Sequence, residues 1–156
     1  MPYPGYTEVE PSTGLHVTGP AQEVDLATYR LKVSGLVDQP LSLSYDDVRC
    51  LPTVRAQVSL TCPGFFTDEV SLAGVTFAGV LALARPQAKA TRITITSVEG
   101  HTATFPLAEV QAPENFLAYQ WGEEPLPPSH GFPLRAVFPA RLGGDWVKWV
   151  NQLELS

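Results

Sequence analysis

The chain has 156 residues, of which 44% are hydrophobic and 17% are charged, a composition typical of a folded globular protein. Its formal net charge is −6 at pH 7 and it has no run of basic residues, which argues against nucleic-acid binding. No apolar stretch approaches the roughly 20 residues that cross a bilayer, so no membrane span is predicted.

The length fits one domain covering residues 1–156. Residues 1–25 are rich in proline, glycine, serine and threonine, and we expect them to form an extended arm over the domain. The N-terminus has no basic segment followed by an apolar run, so no signal peptide is predicted. A cytoplasmic location is the default expectation, and a periplasmic one follows if a leader has been removed.

Polar and apolar residues alternate over residues 29–34, which predicts a half-buried strand, and a short strand follows at 41–43. Ser44 is a suitable N-cap for a helix over 45–51, with acidic residues in its first turn. Pro52 ends that helix.

A second alternating stretch, residues 53–61, predicts a strand that ends immediately before Cys62. Proline and glycine interrupt strand pairing, so residues 62–66 are expected to form a turn or loop. Apolar residues between Gly74 and Pro86 predict a short helix over 75–84.

The second half of the chain consists of short predicted strands joined by turns and one short helix. The strands cover residues 92–98, 101–105, 116–121, 134–138 and 147–155; a hairpin turn lies at 99–100, a helix at 106–110 and a rigid loop at 125–131. Short strands with few helices, without a regular βαβ alternation, predict an α+β fold with mixed β-sheets.

Four residues could carry chemistry. Cys62 follows the end of a strand, His130 and Arg135 lie at the start of another, and Lys148 stands between apolar neighbours in the last one. Each also has a structural interpretation when taken alone. A buried cysteine commonly serves as a small hydrophobe, a histidine beside glycine can cap a turn, and a single cation can face outward from a strand.

Taken together, these residues resemble a known family. The stretches Leu60-Thr61-Cys62, His130-Gly131-Phe132-Pro133-Leu134-Arg135 and Val147-Lys148-Trp149 are similar in order and spacing to those of the sulfite oxidase family. These are molybdopterin-binding oxidoreductase domains, and the resemblance extends from about residue 29 to 155. The chain looks like a minimal, stand-alone form of this domain, closer to the catalytic subunit of methionine-sulfoxide reductase than to sulfite oxidase.

The resemblance implies a sulfite-oxidase-like fold, a molybdenum–molybdopterin cofactor and roles for the four residues. Cys62 would bind molybdenum through its thiolate, a soft ligand suited to a transition metal, and would be the catalytic centre. His130, Arg135 and Lys148 would bind the cofactor, whose phosphate needs charge-assisted donors. The implied activity is two-electron or oxygen-atom transfer, with a separate electron-transfer protein as a possible partner.

The chain also departs from the family pattern. Residues 16–20 replace the Asn or Arg-Asn-His element of the family's amino-terminal arm. Sulfite oxidases place arginines shortly after the cysteine to hold the anionic substrate, whereas residues 63–69 here contain no cation and include Asp68 and Glu69. Sulfite is therefore not the expected substrate, and the substrate stays open.

Other interpretations also remain. The same fold could serve as a non-catalytic cofactor-binding or docking module. Cys62 could be a nucleophile paired with His101 or His130. A zinc site built from Cys50, Cys62 and histidines is disfavoured by the spacing. Two free thiols are favoured over a bridge between the cysteines.

Overall fold

The computed structural model describes residues 22–62, 66–141 and 145–156, and describes only the backbone of residues 8–9, 16–17, 60–62 and 66–68. Most of the predicted arm, residues 1–25, therefore lies outside the described residues. Within it, β1 (Glu8–Val9) and β2 (His16–Val17) pair with each other in antiparallel fashion.

The first large sheet has five strands in the order β4-β3-β12-β7-β8. They are β3 (Leu31–Gly35), β4 (Leu41–Leu43), β7 (Arg92–Ser97), β8 (Thr102–Pro106) and β12 (Val150–Leu155). The last strand of the chain lies in the middle, parallel to β3 and antiparallel to β7. The other four strands of this sheet begin and end within about two residues of their predicted bounds, which is ordinary for sequence-based boundaries.

The second sheet has the order β10-β9-β6-β5, with β11 alongside β9. Its strands are β5 (Val54–Cys62), β6 (Phe66–Thr76), β9 (Phe116–Trp121), β10 (Glu124–Pro125) and β11 (Arg135–Val137). Arg135 pairs with Ala118, Ala118 with Gly74, and Gly74 with Val54. The start of β5 is therefore level with Arg135, and its other end carries Cys62.

The prediction for residues 66–84 was wrong in part. We expected a loop to residue 66 and a helix from Val75, but β6 fills residues 66–76 and the helix begins at Phe77. This strand pairs on both sides, and Val70, Leu72, Ala73 and Val75 are all buried. The register shifts between Ala73 and Gly74, and such an irregularity removes the simple alternation on which the prediction depends.

Three helices complete the described fold: α1 (Tyr45–Arg49), α2 (Phe77–Ala84) and α3 (Leu107–Val110). Ser44 caps α1 as predicted, since its hydroxyl accepts from the Asp47 amide and its own amide donates to the Asp47 carboxylate. One apolar core joins both large sheets and α2. In the part of the chain that the structure describes, no helix is long and apolar enough to cross a membrane.

Candidate anion-binding cluster and cysteine strand

A 3₁₀ turn, Pro128–His130, carries the first of the predicted site residues. Pro127 and Pro128 fix φ at about −65° where the turn begins. Gly131 ends it with a φ of 112°, in the left-handed region that glycine enters without strain. The proline-rich loop predicted at 125–131 therefore contains a turn, and its last residue, His130, is buried.

The backbone of Gly131 lies close to both predicted cationic residues, Arg135 and Lys148. A Cβ atom at this position would lie 3.0 Å from the Cβ of Arg135 and 3.3 Å from the Cβ of Lys148. Arg135 begins β11, and Lys148 lies thirteen positions later in the sequence. Because glycine has no side chain, both residues approach the backbone next to His130. The structure therefore brings His130, Arg135 and Lys148 together, and these three residues are called the anion-binding cluster below.

Three consecutive carbonyl groups of the turn accept hydrogen bonds from side chains. Trp149 Nε1 donates to the Pro128 oxygen at 2.7 Å, and Lys148 Nζ donates to the Ser129 oxygen at 3.0 Å. Arg135 Nη1 lies 3.4 Å from the His130 oxygen. These bonds attach Arg135 and the segment around Lys148 to the turn that ends at His130.

Aromatic rings form the apolar side of this cluster. The Arg135 guanidinium lies over the ring of Trp146 at 5.8 Å, and the Lys148 ammonium over that of Trp149 at 4.8 Å. A cavity of about 20 Å³ lies between Trp146, Arg135 and Leu72 of β6. Arg135 is buried beside this cavity, and charge–charge interactions are stronger in such water-poor surroundings than in bulk water, which favours binding of an anion by its guanidinium.

The predicted environment of Lys148 was wrong. We expected it within a strand over 147–155, but β12 begins at Val150. Trp149 has a φ of 57°, which is incompatible with extended backbone, and the Val147 carbonyl accepts from the Ala136 amide at 2.8 Å. Lys148 therefore lies in a bent segment beside β11, where its side chain reaches the turn.

A buried tyrosine anchors the end of that bent segment. The hydroxyl of Tyr29 donates to the Val150 carbonyl at 2.5 Å. Burial raises the pKa of Tyr29 far above its ordinary value, so the hydroxyl stays protonated as a donor. The Val150 amide donates to the Leu134 carbonyl at 2.9 Å, which ties the start of β12 to the residue before Arg135.

Cys62 is the last residue of β5, one residue beyond the predicted end of that strand, and pairs with Phe66 at the start of β6. Its side chain lies outside the described residues, as do residues 63–65 of the predicted loop. Four positions earlier, Val58 pairs with Val70, which lines the same small cavity as His130 and Arg135. At about 3.4 Å per residue, Cys62 lies about 14 Å along the strand from Val58.

The segment after the cysteine and the segment at 16–20 carry the predicted departures from the family pattern. The side chains of residues 16–20, Phe65, Phe66 and Asp68 lie outside the described residues. Glu69 is described and exposed, and its carboxylate accepts a hydrogen bond from the Ser59 hydroxyl across the β5–β6 pair.

The remaining candidates lie elsewhere. Cys50 carries a free, exposed thiol after α1, beside an open groove of about 500 Å³ whose walls include Arg49 and Tyr119. His101 is exposed at the turn between β7 and β8, in the other sheet from Cys62. Among the described residues, no group of three or more His, Cys, Asp or Glu side chains could hold a metal ion.

No role was predicted from the sequence for the three uncharged residues that contact the cations and the 3₁₀ turn. These are Gly131, Trp146 and Trp149. The spacing of Pro127, Pro128 and Gly131 does carry a signal, because prolines at the start and a glycine at the end are typical of a short helical turn. No sequence pattern points to the left-handed backbone of Trp149.

Comparison with known proteins gives a consistent result. The family model described as the oxidoreductase molybdopterin binding domain matches residues 16–156. The chain is 32% identical to the oxidoreductase YuiH of Bacillus subtilis over 85% of this chain and 67% of that protein. It is also 32% identical to human mitochondrial sulfite oxidase over 88% of this chain and 31% of that one.

The fold is similar to a crystal structure of the sulfane dehydrogenase SoxCD from Paracoccus pantotrophus. The TM-score is 0.86 at 24% sequence identity, over 94% of this chain and 43% of that chain. The α+β prediction with mixed sheets is confirmed by this similarity. The chain thus spans two thirds of YuiH and less than half of the other two proteins.

Proposed function

Because the chain belongs to the family of oxidoreductase molybdopterin-binding domains, we propose that Cys62 binds the metal of its cofactor and that His130, Arg135 and Lys148 bind the cofactor's anionic end. Molybdenum–molybdopterin is the cofactor of this family. The observation that carries the proposal is the convergence of the Arg135 and Lys148 side chains on Gly131, next to the buried His130.

The chemistry of this donor set fits the cofactor's phosphate. A guanidinium offers a planar fork of N–H donors, and an ammonium offers a compact charge, which together suit phosphate oxygens. His130 can donate from the adjacent turn. The net charge of the chain is −6, so most of its surface repels polyanions. A local cationic cluster on such a protein therefore favours one small anion over a polyanion.

The proposed role of Cys62 depends on distance and on ligand chemistry. A thiolate is a soft donor that suits a transition metal, and binding a metal keeps the thiol deprotonated. Cys62 lies about 14 Å along β5 from Val58, whose partner Val70 lines the same cavity as His130 and Arg135, so the metal and the phosphate would be held at separate points. Cys62 would hold the metal that the cofactor's dithiolene sulfurs bind, and the cluster would hold its phosphate.

When bound, the cofactor supplies a centre for two-electron or oxygen-atom transfer. The chain's own residues would hold and orient it: Arg135 and Lys148 would neutralise the phosphate, and the rings of Trp146 and Trp149 pack against the two cations. We propose a neutral or cationic substrate, because residues 63–69 contain acids and no cation. Electrons would pass to a separate protein, in the cytoplasm or, after removal of a leader, in the periplasm.

Matched cysteine variants test the assignment of the metal ligand. The protein is expressed in a host that makes the cofactor, and molybdenum and pterin are measured per chain for Cys62→Ser and Cys50→Ser. We expect Cys62→Ser to lose at least about tenfold in molybdenum while Cys50→Ser keeps the wild-type content. Wild-type molybdenum content in Cys62→Ser would contradict the assignment.

Paired substitutions of the cations test the anion-binding cluster separately. Arg135→Met with Lys148→Met removes both charges but keeps much of the apolar stem, so the fold should be less affected than by truncation. We expect pterin to be lost together with molybdenum in this variant. A separate outcome concerns the wild-type protein itself. If it carried the cofactor but exchanged electrons with no redox dye, a non-catalytic binding module would be the better interpretation.

A further inference from the structure

Among the described residues between β11 and Lys148, Arg141 forms an ion pair with a residue of α3. Arg141 donates from Nε and Nη2 to both carboxylate oxygens of Glu109 on α3, at 2.5 and 2.6 Å. Its Nη1 donates to Asp145 at 3.0 Å, and the guanidinium lies over the ring of Phe105 at 4.8 Å. The two-bond pair with Glu109 fixes the orientation of Arg141 as well as its position.

The backbone of the same arginine contacts the aromatic side of the anion-binding cluster. Trp146 Nε1 donates to the Phe138 carbonyl at 2.9 Å and to the Arg141 carbonyl at 3.2 Å. Trp146 is 2% exposed, and the Arg135 guanidinium lies over its ring, 5.8 Å from the ring centroid. A continuous series of contacts therefore leads from Glu109 through Arg141 and Trp146 to Arg135.

We propose that Arg141 is a positioning residue for the anion-binding cluster. The ion pair with Glu109 fixes the Arg141 carbonyl, that carbonyl orients the indole of Trp146, and the indole sets the direction of the Arg135 guanidinium. Arg141 itself does not touch the bound anion. This inference rests on the proposed function, because it gives Arg135 an orientation that matters only if Arg135 binds the cofactor.

The test is the rate at which the purified holoprotein releases its pterin, followed by the fluorescence of the released and oxidised pterin. Arg141→Met is compared with Arg49→Met, a matched control in which an exposed arginine also loses an ion pair, to Asp46, and an aromatic contact, to Tyr45. We expect Arg141→Met to release pterin about tenfold faster, as is common for residues that orient a ligand-binding side chain, and Arg49→Met to change the rate less than twofold.

A double-mutant cycle separates positioning from a general loss of stability. If Arg141 acts through Arg135, adding Arg141→Met to Arg135→Lys should change the release rate by much less than the tenfold effect of Arg141→Met in the wild-type background. Glu109→Gln, which keeps an amide oxygen as acceptor and perturbs the fold least, should show a smaller increase in the same direction. Independent effects of the two substitutions, or an Arg141→Met rate no faster than that of Arg49→Met, would overturn the inference.

The same data distinguish failure of this inference from failure of the proposed function. An unchanged release rate in Arg135→Lys would contradict the role of Arg135 in binding the cofactor. A faster rate in Arg135→Lys combined with an unchanged rate in Arg141→Met would contradict only the positioning role.

Discussion

The most direct structural perturbation of the anion-binding cluster is Gly131→Ala. The added methyl group would lie 3.0 Å from the Cβ of Arg135 and 3.3 Å from Cβ and Cγ of Lys148. Both neighbours are held by hydrogen bonds to the 3₁₀ turn, so neither can yield freely. The φ of 112° also becomes strained once a Cβ is present.

The expected cost has two parts. Placing a side chain in an unfavourable left-handed conformation costs about 1 kcal/mol or more, and overpacking against fixed neighbours costs about 1–3 kcal/mol. We expect a total near 3 kcal/mol, which for a domain of this size lowers Tm by about 6–12 °C. Because the methyl group separates Arg135 from Lys148, the pterin content of the purified protein should fall as well.

Gly100→Ala is the matched control, because Gly100 has a φ of 88° and nothing within 4 Å of its added Cβ. It should cost only the backbone strain, about 1 kcal/mol, and leave the pterin content unchanged. Urea and thermal unfolding followed by circular dichroism measure both free energies. Equal costs for the two substitutions would refute the claim that close packing of the two cations makes Gly131 necessary.

Three further substitutions test separate parts of the account. Leu81→Ala on α2 should lower the free energy of unfolding by about 2–5 kcal/mol, because Leu81 is fully buried. Leu83→Ala on the same helix should change it by less than about 0.5 kcal/mol, because Leu83 is exposed. Similar values for the two variants in urea titrations would argue against the described core. Hydrogen bonds from Arg141 lower the pKa of Glu109 below its ordinary value near 4.5, so this pair stabilises the fold above that pH and its contribution is lost as the pH falls through the lowered value. The stability difference between wild type and Glu109→Gln should therefore shrink on acidification, and a difference that grows would contradict the ion pair. Trp149→Phe removes the donor to a carbonyl of the 3₁₀ turn and should cost about 1–3 kcal/mol while weakening pterin retention; unchanged retention would show that this bond does not hold the turn in place.

Local sequence patterns predicted much of the fold. The strand at 116–121 and the short strand at 41–43 were predicted with their observed bounds, and Ser44 caps α1 as expected. Each of these features depends on contacts within a few residues, such as alternation of polar and apolar side chains or a capping hydroxyl. The α+β class followed from the number of short strands.

The features that the sequence did not predict depend on tertiary contacts. The strand β6 pairs on both sides and contains a register shift, so its side chains do not alternate regularly. Lys148 reaches the 3₁₀ turn because Trp149 takes a left-handed backbone conformation, which its residue type disfavours. The candidate residues were found through a resemblance in order and spacing, whereas their contacts with Gly131 and Trp146 come only from the folded chain.

The central claim is that this chain binds the molybdenum cofactor, with Cys62 holding the metal and the cluster at Gly131 holding the anionic phosphate. The most direct measurement is the molybdenum and pterin content of the wild-type protein, purified from a host that makes the cofactor, by elemental analysis and pterin fluorescence. The account predicts about one molybdenum and one pterin per chain. A well-folded protein with neither would contradict it.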